Sequence, residues 1–439
     1  MDWGWDNARA LLGIALIFAI AWGLSENRRA FPWRVVLGAV AIQFLFALIL
    51  FGIPPIRTAL FSANVVVDAL IAATSNGTEF VFGTLFGNKD SWYALEASQV
   101  GQEDAGVIFA VHLLPLIIVV AALSAILWHW RILRWITNGF AAVFRRTMGL
   151  GGATSLAVSA NVFMGMTEAP VLVKPYIKKM SRSELFILMT AGFATVAGSV
   201  LVLYSALLKD VLDNALAQLL TASIIAAPAA VALALVMIPD TDTKAAEALD
   251  DPEFDYESTM DAFATGATDG LKIVGNIVTM LIAALALLYL VNLALGAIPI
   301  VVDTTPEGED VDLSIQWILG QIFAPLMYMV GVPFSEAAQS GSLVGIKTVL
   351  TEFIAFEDLA KVPADEMSPR TRMITAHAIN GFANFGSIGI LIGGLSIIEP
   401  ARRDTFLDLA WKTLLAGTLA TCLSGAVVGV LPFALFSGA

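Results

Sequence analysis

The sequence predicts an all-α integral membrane protein built from two related halves that enter the membrane from opposite sides. Of its 439 residues, 58% are hydrophobic and 14% are charged, and the mean hydropathy is +0.81. Soluble domains carry about 25% charged residues, so this composition is typical of a chain that spans a bilayer. A Thr-Glu pair followed by a Gly-Phe-Ala segment occurs twice, first at Glu168 and again at Glu352. This recurrence indicates an internal repeat.

Eight apolar segments can each cross a membrane, which takes about 20 residues of helix. The predicted spans are residues 9–25, 35–53, 107–130, 185–207, 213–238, 271–297, 373–396 and 405–437. Lys and Arg concentrate on the cytoplasmic side of membrane proteins. Four basic groups beside the spans all fall on that side if the N-terminus is outside: Arg28, Arg29 and Arg34; Arg131, Arg134, Arg145 and Arg146; Lys174, Lys178, Lys179 and Arg182; Arg402 and Arg403. We therefore predict a multi-pass protein with its N-terminus outside.

Two further segments are predicted to be re-entrant hairpins. Residues 150–178 are weakly hydrophobic and rich in Gly, Ala and Ser, and both of their ends fall on the cytoplasmic side. Glu168 lies near the tip of this first hairpin. Residues 334–362 carry Glu352 in the same way, but their ends fall outside. In transporters built from inverted repeats, such interrupted segments meet near the bilayer midplane.

The order of elements divides the chain into four parts. An amphipathic stretch precedes each hairpin, residues 132–148 before the first and 314–331 before the second, and two spans follow each hairpin. The four predicted parts are residues 1–106, with two spans and an outward-facing interfacial segment over 54–106 at the periphery of a scaffold; 107–238, the first repeat; 239–270, an acidic cytoplasmic linker; and 271–439, the second repeat.

The two glutamates are the candidate functional groups. A charged side chain at the bilayer centre costs about 2.5–3.5 kcal/mol, so it is placed where something compensates for it. Polar residues follow each acid on a broken span: Thr195 and Ser199 in the first repeat, Asn384 and Ser387 in the second. A carboxylate that accepts two hydroxyls suits a polyol such as a sugar ring. The alternative is structural, with the acids capping broken helices or pairing with a lysine.

Neutral oxygens near the first hairpin suggest a cation site. Asn161, Thr167 and Thr195 would bring such oxygens close to exposed hairpin carbonyls. Cages of hard oxygen ligands suit an alkali cation, by extension from the rules for calcium and magnesium. The sequence has no HExxH, GxSxG or Walker motif, so no known hydrolase or nucleotide-binding signature accompanies the acids. Nothing basic and aromatic suggests nucleic acid.

These motifs closely resemble those of the concentrative nucleoside transporter family. The family's Gly-Gln-Thr-Glu-Ala-Pro motif corresponds to Gly-Met-Thr-Glu-Ala-Pro at 165–170. Its Asn-Glu-Phe-Val-Ala-Tyr motif corresponds to Thr-Glu-Phe-Ile-Ala-Phe at 351–356, and its Gly-Phe-Ala-Asn motif is unchanged at 381–384. The three motifs occur in the correct order, and the match covers about residues 100–437.

The resemblance implies a homotrimer in a bacterial cytoplasmic (inner) membrane, importing nucleosides with a coupling cation by an elevator motion. It implies that the base meets Met166, Thr167 and Val200, with Phe382 packing nearby. It implies that ribose meets Glu352, Asn384 and Ser387, with Glu168 in the same polar network. It implies that sodium meets Asn161, Thr167, Thr195 and the main-chain carbonyls of Met164 and Val196. Sodium is the coupling ion, and no other cofactor is expected.

Three departures from the family motifs refine the expectation. Met166 replaces Gln, Thr195 replaces a common Ser, and Thr351 replaces Asn. The first two resemble the family's purine-preferring members, and a methionine offers polarizable apolar contact without an amide. We therefore expect a sodium-coupled symporter that prefers purine nucleosides. A proton-coupled symporter, with Glu168 carrying the proton, is the nearest alternative, and an intramembrane hydrolase is a distant one.

Overall fold

The computed structural model of the protein describes residues 3–83, 109–239, 256–298, 300–304 and 310–436. The helices of the first part of the chain are α1 (Trp5–Gly23), α2 (Trp33–Gly52), α3 (Pro54–Phe82), α4 (Phe109–His112), α5 (Pro115–His129), α6 (Ile132–Met148), α7 (Gly152–Asn161), α8 (Ala169–Leu172), α9 (Lys174–Ile177), α10 (Arg182–Ala194), α11 (Gly198–Leu207) and α12 (Ala215–Met237). The later elements are α13 (Thr259–Gly296), β1 (Val301–Thr304), β2 (Asp310–Asp312), α14 (Ile315–Met329), α15 (Phe334–Val349), α16 (Glu352–Lys361), α17 (Pro369–Ile379), α18 (Phe385–Ile398) and α19 (Arg403–Val430).

The helical membrane architecture predicted from the sequence is confirmed. Eight helices among the described residues are long and apolar enough to cross a membrane. They differ from the predicted eight in two places. The predicted span 373–396 is divided between α17 and α18, whereas α3 qualifies by length and composition although an interfacial segment was expected there. Residues 84–106 of that segment lie outside the described residues.

One other predicted boundary differs from the structure. The predicted linker ended at residue 270, but α13 already begins at Thr259, where the Ser258 side chain caps the helix by accepting a hydrogen bond from the Asp261 amide. This bond satisfies one of the unpaired amides of the first turn. Residues 240–255 of the linker lie outside the described residues. Beyond the helices, β1 and β2 form a short antiparallel ribbon that the all-α prediction did not include.

Both hairpins are present. In the first, α7 forms one arm and the short α8 and α9 form the other, with Glu168 directly before α8. In the second, α15 and α16 are the arms, and Glu352 is the first residue of α16. The amphipathic stretches predicted before the hairpins are the helices α6 and α14.

The span after each hairpin is broken in its middle. Residues 195–197 separate α10 from α11, and residues 380–384 separate α17 from α18. The two breaks lie against each other, because a Cβ added at Gly381 would approach the Phe193 carbonyl oxygen to 2.8 Å. A side chain at Gly381 would therefore force the breaks apart.

The long helix α13 packs along α5. Glycine makes this contact close: a Cβ at Gly266 would come within 2.7 Å of the Ala125 Cβ. The N-terminal spans were predicted to lie at the periphery of the scaffold. Of these, α1 packs along α19 and α2 packs along α12. They thus contact the helices that surround the broken spans.

Candidate functional site

A cavity of about 870 Å³, its open mouth included, lies between the two hairpin tips, the two breaks and one side of α13. Side chains from both repeats line it. All eight residues expected to bind substrate are in this lining: Met166, Thr167, Glu168, Val200, Glu352, Phe382, Asn384 and Ser387. The inverted repeat therefore brings together residues more than 200 positions apart in the sequence.

Glu352 is the best-ordered polar group of the cavity. The Tyr204 hydroxyl donates to its Oε1 at 2.7 Å, and the Asn384 amide donates to its Oε2 at 2.8 Å. Asn384 is itself oriented, because its Oδ1 accepts a hydrogen bond of 2.7 Å from the Ser387 amide at the start of α18. Hydrogen bonds to an ionised acceptor are about twice as strong as neutral ones. The result is a buried carboxylate held in one orientation, with lone pairs left for ligand hydroxyls.

Glu168 is more open than Glu352. It is partly exposed, and its Oε2 accepts one hydrogen bond of 3.4 Å from the Gly165 amide. It also lines a second cavity, beside Asp269 of α13 and Tyr256, which precedes that helix. Burial, with the negative charges of Glu168 and Asp269, raises the pKa of Tyr256 to about 12. Tyr256 therefore keeps its proton beside the two carboxylates at neutral pH.

The apolar wall of the cavity is formed by Met166, Val200 and Phe382. Met166 lies directly on α10, since a Cβ added at Gly192 would stand 2.9 Å from the Met166 Cβ. The opposite wall includes Met280 of α13. A flat ring entering here meets the phenyl rings of Phe353 and Phe382 and methionine thioethers, and the flexible thioethers adapt to its shape.

The residues expected to hold sodium lie where the first hairpin meets the first break. The Thr195 hydroxyl is 2.8 Å from the Asn161 carbonyl oxygen and 2.9 Å from that of Ala191. One hydroxyl proton serves two carbonyls, so oxygen lone pairs remain available. The Asn161 Oδ1 is buried without a hydrogen-bond partner among the described residues. Neutral oxygens around an unsatisfied acceptor fit an alkali cation.

The other expected sodium residues are nearby but less clearly arranged. Val196 is fully buried in the break, and its amide donates to the Ser223 hydroxyl at 3.4 Å. Met164 and Thr167 both line the second cavity. The Phe163 carbonyl accepts from the Gly198 amide at 2.9 Å, which ties the hairpin turn to the break.

Sequence reasoning did not identify Tyr204, Asn276 or Met280 as site residues, although all three line the cavity. Tyr204 lies four positions after Val200 on α11, and residues at this spacing share one helix face. That spacing could have revealed it. Asn276 and Met280 share the same spacing on α13, but nothing in the sequence shows which face of α13 is turned towards the hairpins.

Comparisons with known proteins show which family the chain belongs to. Residues 12–85 match the N-terminal part, and residues 218–429 the C-terminal part, of the Na+-dependent nucleoside transporters. Residues 110–210 match a family described by nucleoside recognition. An uncharacterized transporter of Haemophilus influenzae is 35% identical to this chain over 96% of it and 97% of the relative. The nucleoside permease NupC of Helicobacter pylori is 32% identical, with 96% and 97% covered.

An animal relative and a solved structure are also similar to this chain. The sodium/nucleoside cotransporter 1 of Rattus norvegicus is 31% identical over 95% of this chain and 63% of the relative. The fold is similar to that of CNTnw in an inward-facing substrate-bound state, with 34% identity, a TM-score of 0.85, and 99% of this chain and 98% of the other covered. These families consist of transporters and not enzymes, so the hydrolase alternative is wrong. The chain belongs to the family of Na+-dependent nucleoside transporters.

Proposed function

We propose that this protein is a sodium-coupled symporter that imports nucleosides, with a preference for purine nucleosides. The observation that carries the proposal is the Glu352 carboxylate, held by Tyr204 and Asn384 in a cavity between the two repeats. Two hydroxyls of a ribose ring can donate to it, and those charge-assisted bonds would dominate the polar recognition.

The base would lie against the apolar wall formed by Met166, Val200 and Phe382. Without an amide at position 166, this wall rewards contact area more than a particular pattern of base hydrogen bonds. A purine has the larger ring system and buries more surface, whereas a pyrimidine would lose the partner that a glutamine supplies. This difference supports the purine preference.

Sodium would be carried as a co-substrate at Asn161 and Thr195, next to the base side of the cavity. The unsatisfied Asn161 Oδ1 supports this position. Because the hairpin turn and the break are joined by the Phe163–Gly198 hydrogen bond, an ion bound there would hold Met166 and Thr167 in place. Sodium binding would thus favour nucleoside binding.

Alternating access would follow an elevator motion in a trimer of the bacterial cytoplasmic membrane, with the N-terminus outside. The cavity has one wall on α13 and the others on the hairpins and broken spans. A substrate held by the hairpins could therefore move past α5 and α13, which would remain fixed as a scaffold.

The deciding experiment is uptake of labelled adenosine into proteoliposomes, with sodium and proton gradients imposed separately. We expect a sodium gradient alone to drive accumulation. The proton-coupled alternative has an observation in its favour, because Glu168 is partly exposed in the cavity and accepts a single 3.4 Å hydrogen bond from Gly165. Full accumulation driven by a proton gradient in sodium-free buffer would reject sodium coupling in favour of this alternative.

A further inference from the structure

Lys347 is a buried charge that the proposed transport cycle does not yet use. It lies in the last turn of α15, in the second hairpin, and its side chain is 0% exposed. Its Nζ donates to the Thr421 hydroxyl of α19 at 3.2 Å. A lysine at membrane depth costs about 2.5–3.5 kcal/mol on insertion scales, so its presence calls for a functional explanation.

The surroundings of Lys347 connect it to the substrate site. Its positive charge and the negative charge of Glu352 act on each other. Thr421 in turn lies against the second break, where a Cβ added at Gly381 would come within 2.6 Å of its Cγ2. The ammonium group is therefore held close to the two features of the second repeat that face the substrate, the acid and the break.

Counting five residues back from each hairpin glutamate compares the two halves of the chain. Lys347 is five residues before Glu352. The residue five before Glu168 is Phe163, which lies between Asn161 and Met164, two of the residues assigned to sodium. Both α7 and α15 end at a hairpin tip, and the free carbonyls of a helix C-terminus carry partial negative charge that attracts cations.

We propose that Lys347 is a tethered cation that takes, in the second repeat, the part that the sodium ion takes in the first. This inference rests on the proposed function. With Glu168 and Glu352 ionised, the site carries two negative charges. The Lys347 ammonium and one sodium ion balance them, and the nucleoside adds no charge, so the loaded site is electrically neutral. A neutral site avoids the cost of moving net charge through the membrane. The fixed charge thereby limits coupling to one mobile cation per nucleoside.

The test is Lys347→Met, which removes the charge and keeps an unbranched side chain of similar length. The charge moved per nucleoside is obtained from the dependence of adenosine accumulation on an imposed membrane potential. We expect about one charge per nucleoside in the unmodified protein and about two in the variant, with a steeper dependence on sodium concentration. A second sodium ion would replace the lost ammonium group.

Two variants serve as controls. Thr421→Val removes the hydrogen bond of Lys347 but keeps its charge, so the charge moved per nucleoside should not change. Lys361→Met removes a lysine whose side chain is 66% exposed at the end of α16, and it should also leave the ratio unchanged. Together, the two controls show whether a change in the charge moved per nucleoside comes from losing the buried charge, from losing its hydrogen bond, or from losing any lysine.

The outcomes distinguish this inference from the proposed function. If the unmodified protein shows no sodium-driven uptake, the proposed function fails. If it does, and Lys347→Met transports with an unchanged charge ratio and sodium dependence, the tethered-cation role alone is overturned. Should the variant fail to transport, calorimetric nucleoside binding at graded sodium concentrations decides: a raised and steeper sodium requirement supports the role. An unchanged requirement, or no binding by the folded variant, overturns it.

Discussion

Tyr204 is the residue whose contribution can be isolated most cleanly. Its hydroxyl donates to Glu352, and its ring packs on Phe356 at a centroid distance of 4.6 Å. Tyr204→Phe keeps the ring and removes one donor to a carboxylate, an interaction worth about 1.5–3 kcal/mol. We expect nucleoside affinity in binding titrations to fall by roughly ten- to a hundredfold. Ser205→Ala is the matched control, because the Ser205 hydroxyl donates to the Val202 carbonyl within its own helix. The nucleoside affinity of this variant should stay unchanged.

Met166 sets the expected base preference. Replacing it with glutamine restores an amide at the apolar wall, so Met166→Gln should recover pyrimidine transport, and more so together with Thr195→Ser. Discrimination of this kind is worth about 1–3 kcal/mol, or ten- to two-hundredfold. The measurement is competition by unlabelled cytidine and thymidine against labelled adenosine in vesicles. Cytidine competing as well as adenosine in the unmodified protein would rule out the purine preference.

The eight residues expected to bind substrate could be named from the sequence because they lie in or near the recurring motifs. Glu168 and Glu352 follow threonines, and Phe382 and Asn384 belong to the Gly-Phe-Ala segment. Tyr204 and Lys347 belong to no motif. Their importance depends on contacts across the repeats, with Glu352 148 positions from Tyr204 and Thr421 74 positions from Lys347. Such contacts form only on folding. The spacing from Val200 could have pointed to Tyr204, but nothing in the sequence shows that Lys347 lies beside Thr421.

At the scale of elements, the short helix α16 positions Glu352. Thr351 caps this helix, and its hydroxyl accepts a hydrogen bond of 3.0 Å from the Phe353 amide. Thr351→Ala should destabilise the protein by about 1 kcal/mol, the usual effect of losing an N-cap. Thr351→Asn should preserve both stability and transport, because asparagine is an equally good cap. Thermal unfolding in detergent measures the first effect and adenosine uptake the second. Equal stability of the alanine variant and the unmodified protein would contradict this role.

Elements with a clear amphipathic, apolar or small-residue pattern could be predicted, whereas the ends of some helices that carry no such signal could not. The amphipathic stretch 132–148 has the bounds of α6, because its polar and apolar faces are sharply divided. The hairpins and the breaks followed from small residues around the acids. In contrast, an 18-residue window of α3 has a mean hydropathy of 1.6, and no periodic or charge signal in its sequence showed where the helix ends. The start of α13 depends on the Ser258 cap, and the acidic residues near Ser258 made this part of the sequence read as a loop.

At the scale of the whole molecule, Glu26 ties the α1–α2 loop to three other helices, α10, α12 and α19. Its carboxylate pairs with Arg182 of α10 and Lys412 of α19, and its amide donates to the Met237 carbonyl at 2.9 Å. Partial burial raises the pKa of the Glu26 carboxyl, but hydrogen bonds from Arg182 and Lys412 outweigh it and hold the pKa below its ordinary value of 4.5. A carboxyl with a lowered pKa stabilises the fold above its unfolded pKa and loses this contribution as pH falls through the folded one.

Glu26→Gln should therefore lower the unfolding temperature at pH 7 and have progressively less effect below about pH 4.5. The difference should be small and should shrink with added salt, since all three side chains are about one-third exposed and solvent screens such pairs. Thermal scans across pH in a stabilising detergent provide the measurement. Glu357→Gln is the control, because Glu357 pairs with Lys361 inside a single helix. A pH-independent effect of Glu26→Gln would contradict the ion-pair explanation.

The proposed elevator motion leads to a prediction about the contact between α13 and α18. A Cβ added at Gly386 of α18 would collide with the Met280 Cε of α13, so cysteines at these two positions would lie within reach of a short cross-linker with two thiol-reactive ends and a cleavable linker. If the hairpins and broken spans move past α13 during each cycle, cross-linking Met280→Cys with Gly386→Cys should stop adenosine uptake, and cleaving the linker should restore it.

The cross-linked double variant is compared with the two single-cysteine variants. The native Cys422 is buried and would be replaced by alanine in every protein tested, so that the reagent reacts only at the introduced positions. Each single cysteine, treated with the same reagent, sets the baseline, because a group attached at Met280→Cys stands in the cavity wall and lowers uptake by itself. The cross-linked double variant should lose uptake beyond either single variant and return to their level when the linker is cleaved. Uptake by the cross-linked double variant at the rate of the singles would mean that α13 and α18 keep their contact throughout the cycle. Transport would then have to proceed by opening and closing the hairpins around a stationary site, and α5 and α13 would be walls of that site and not a scaffold past which it moves.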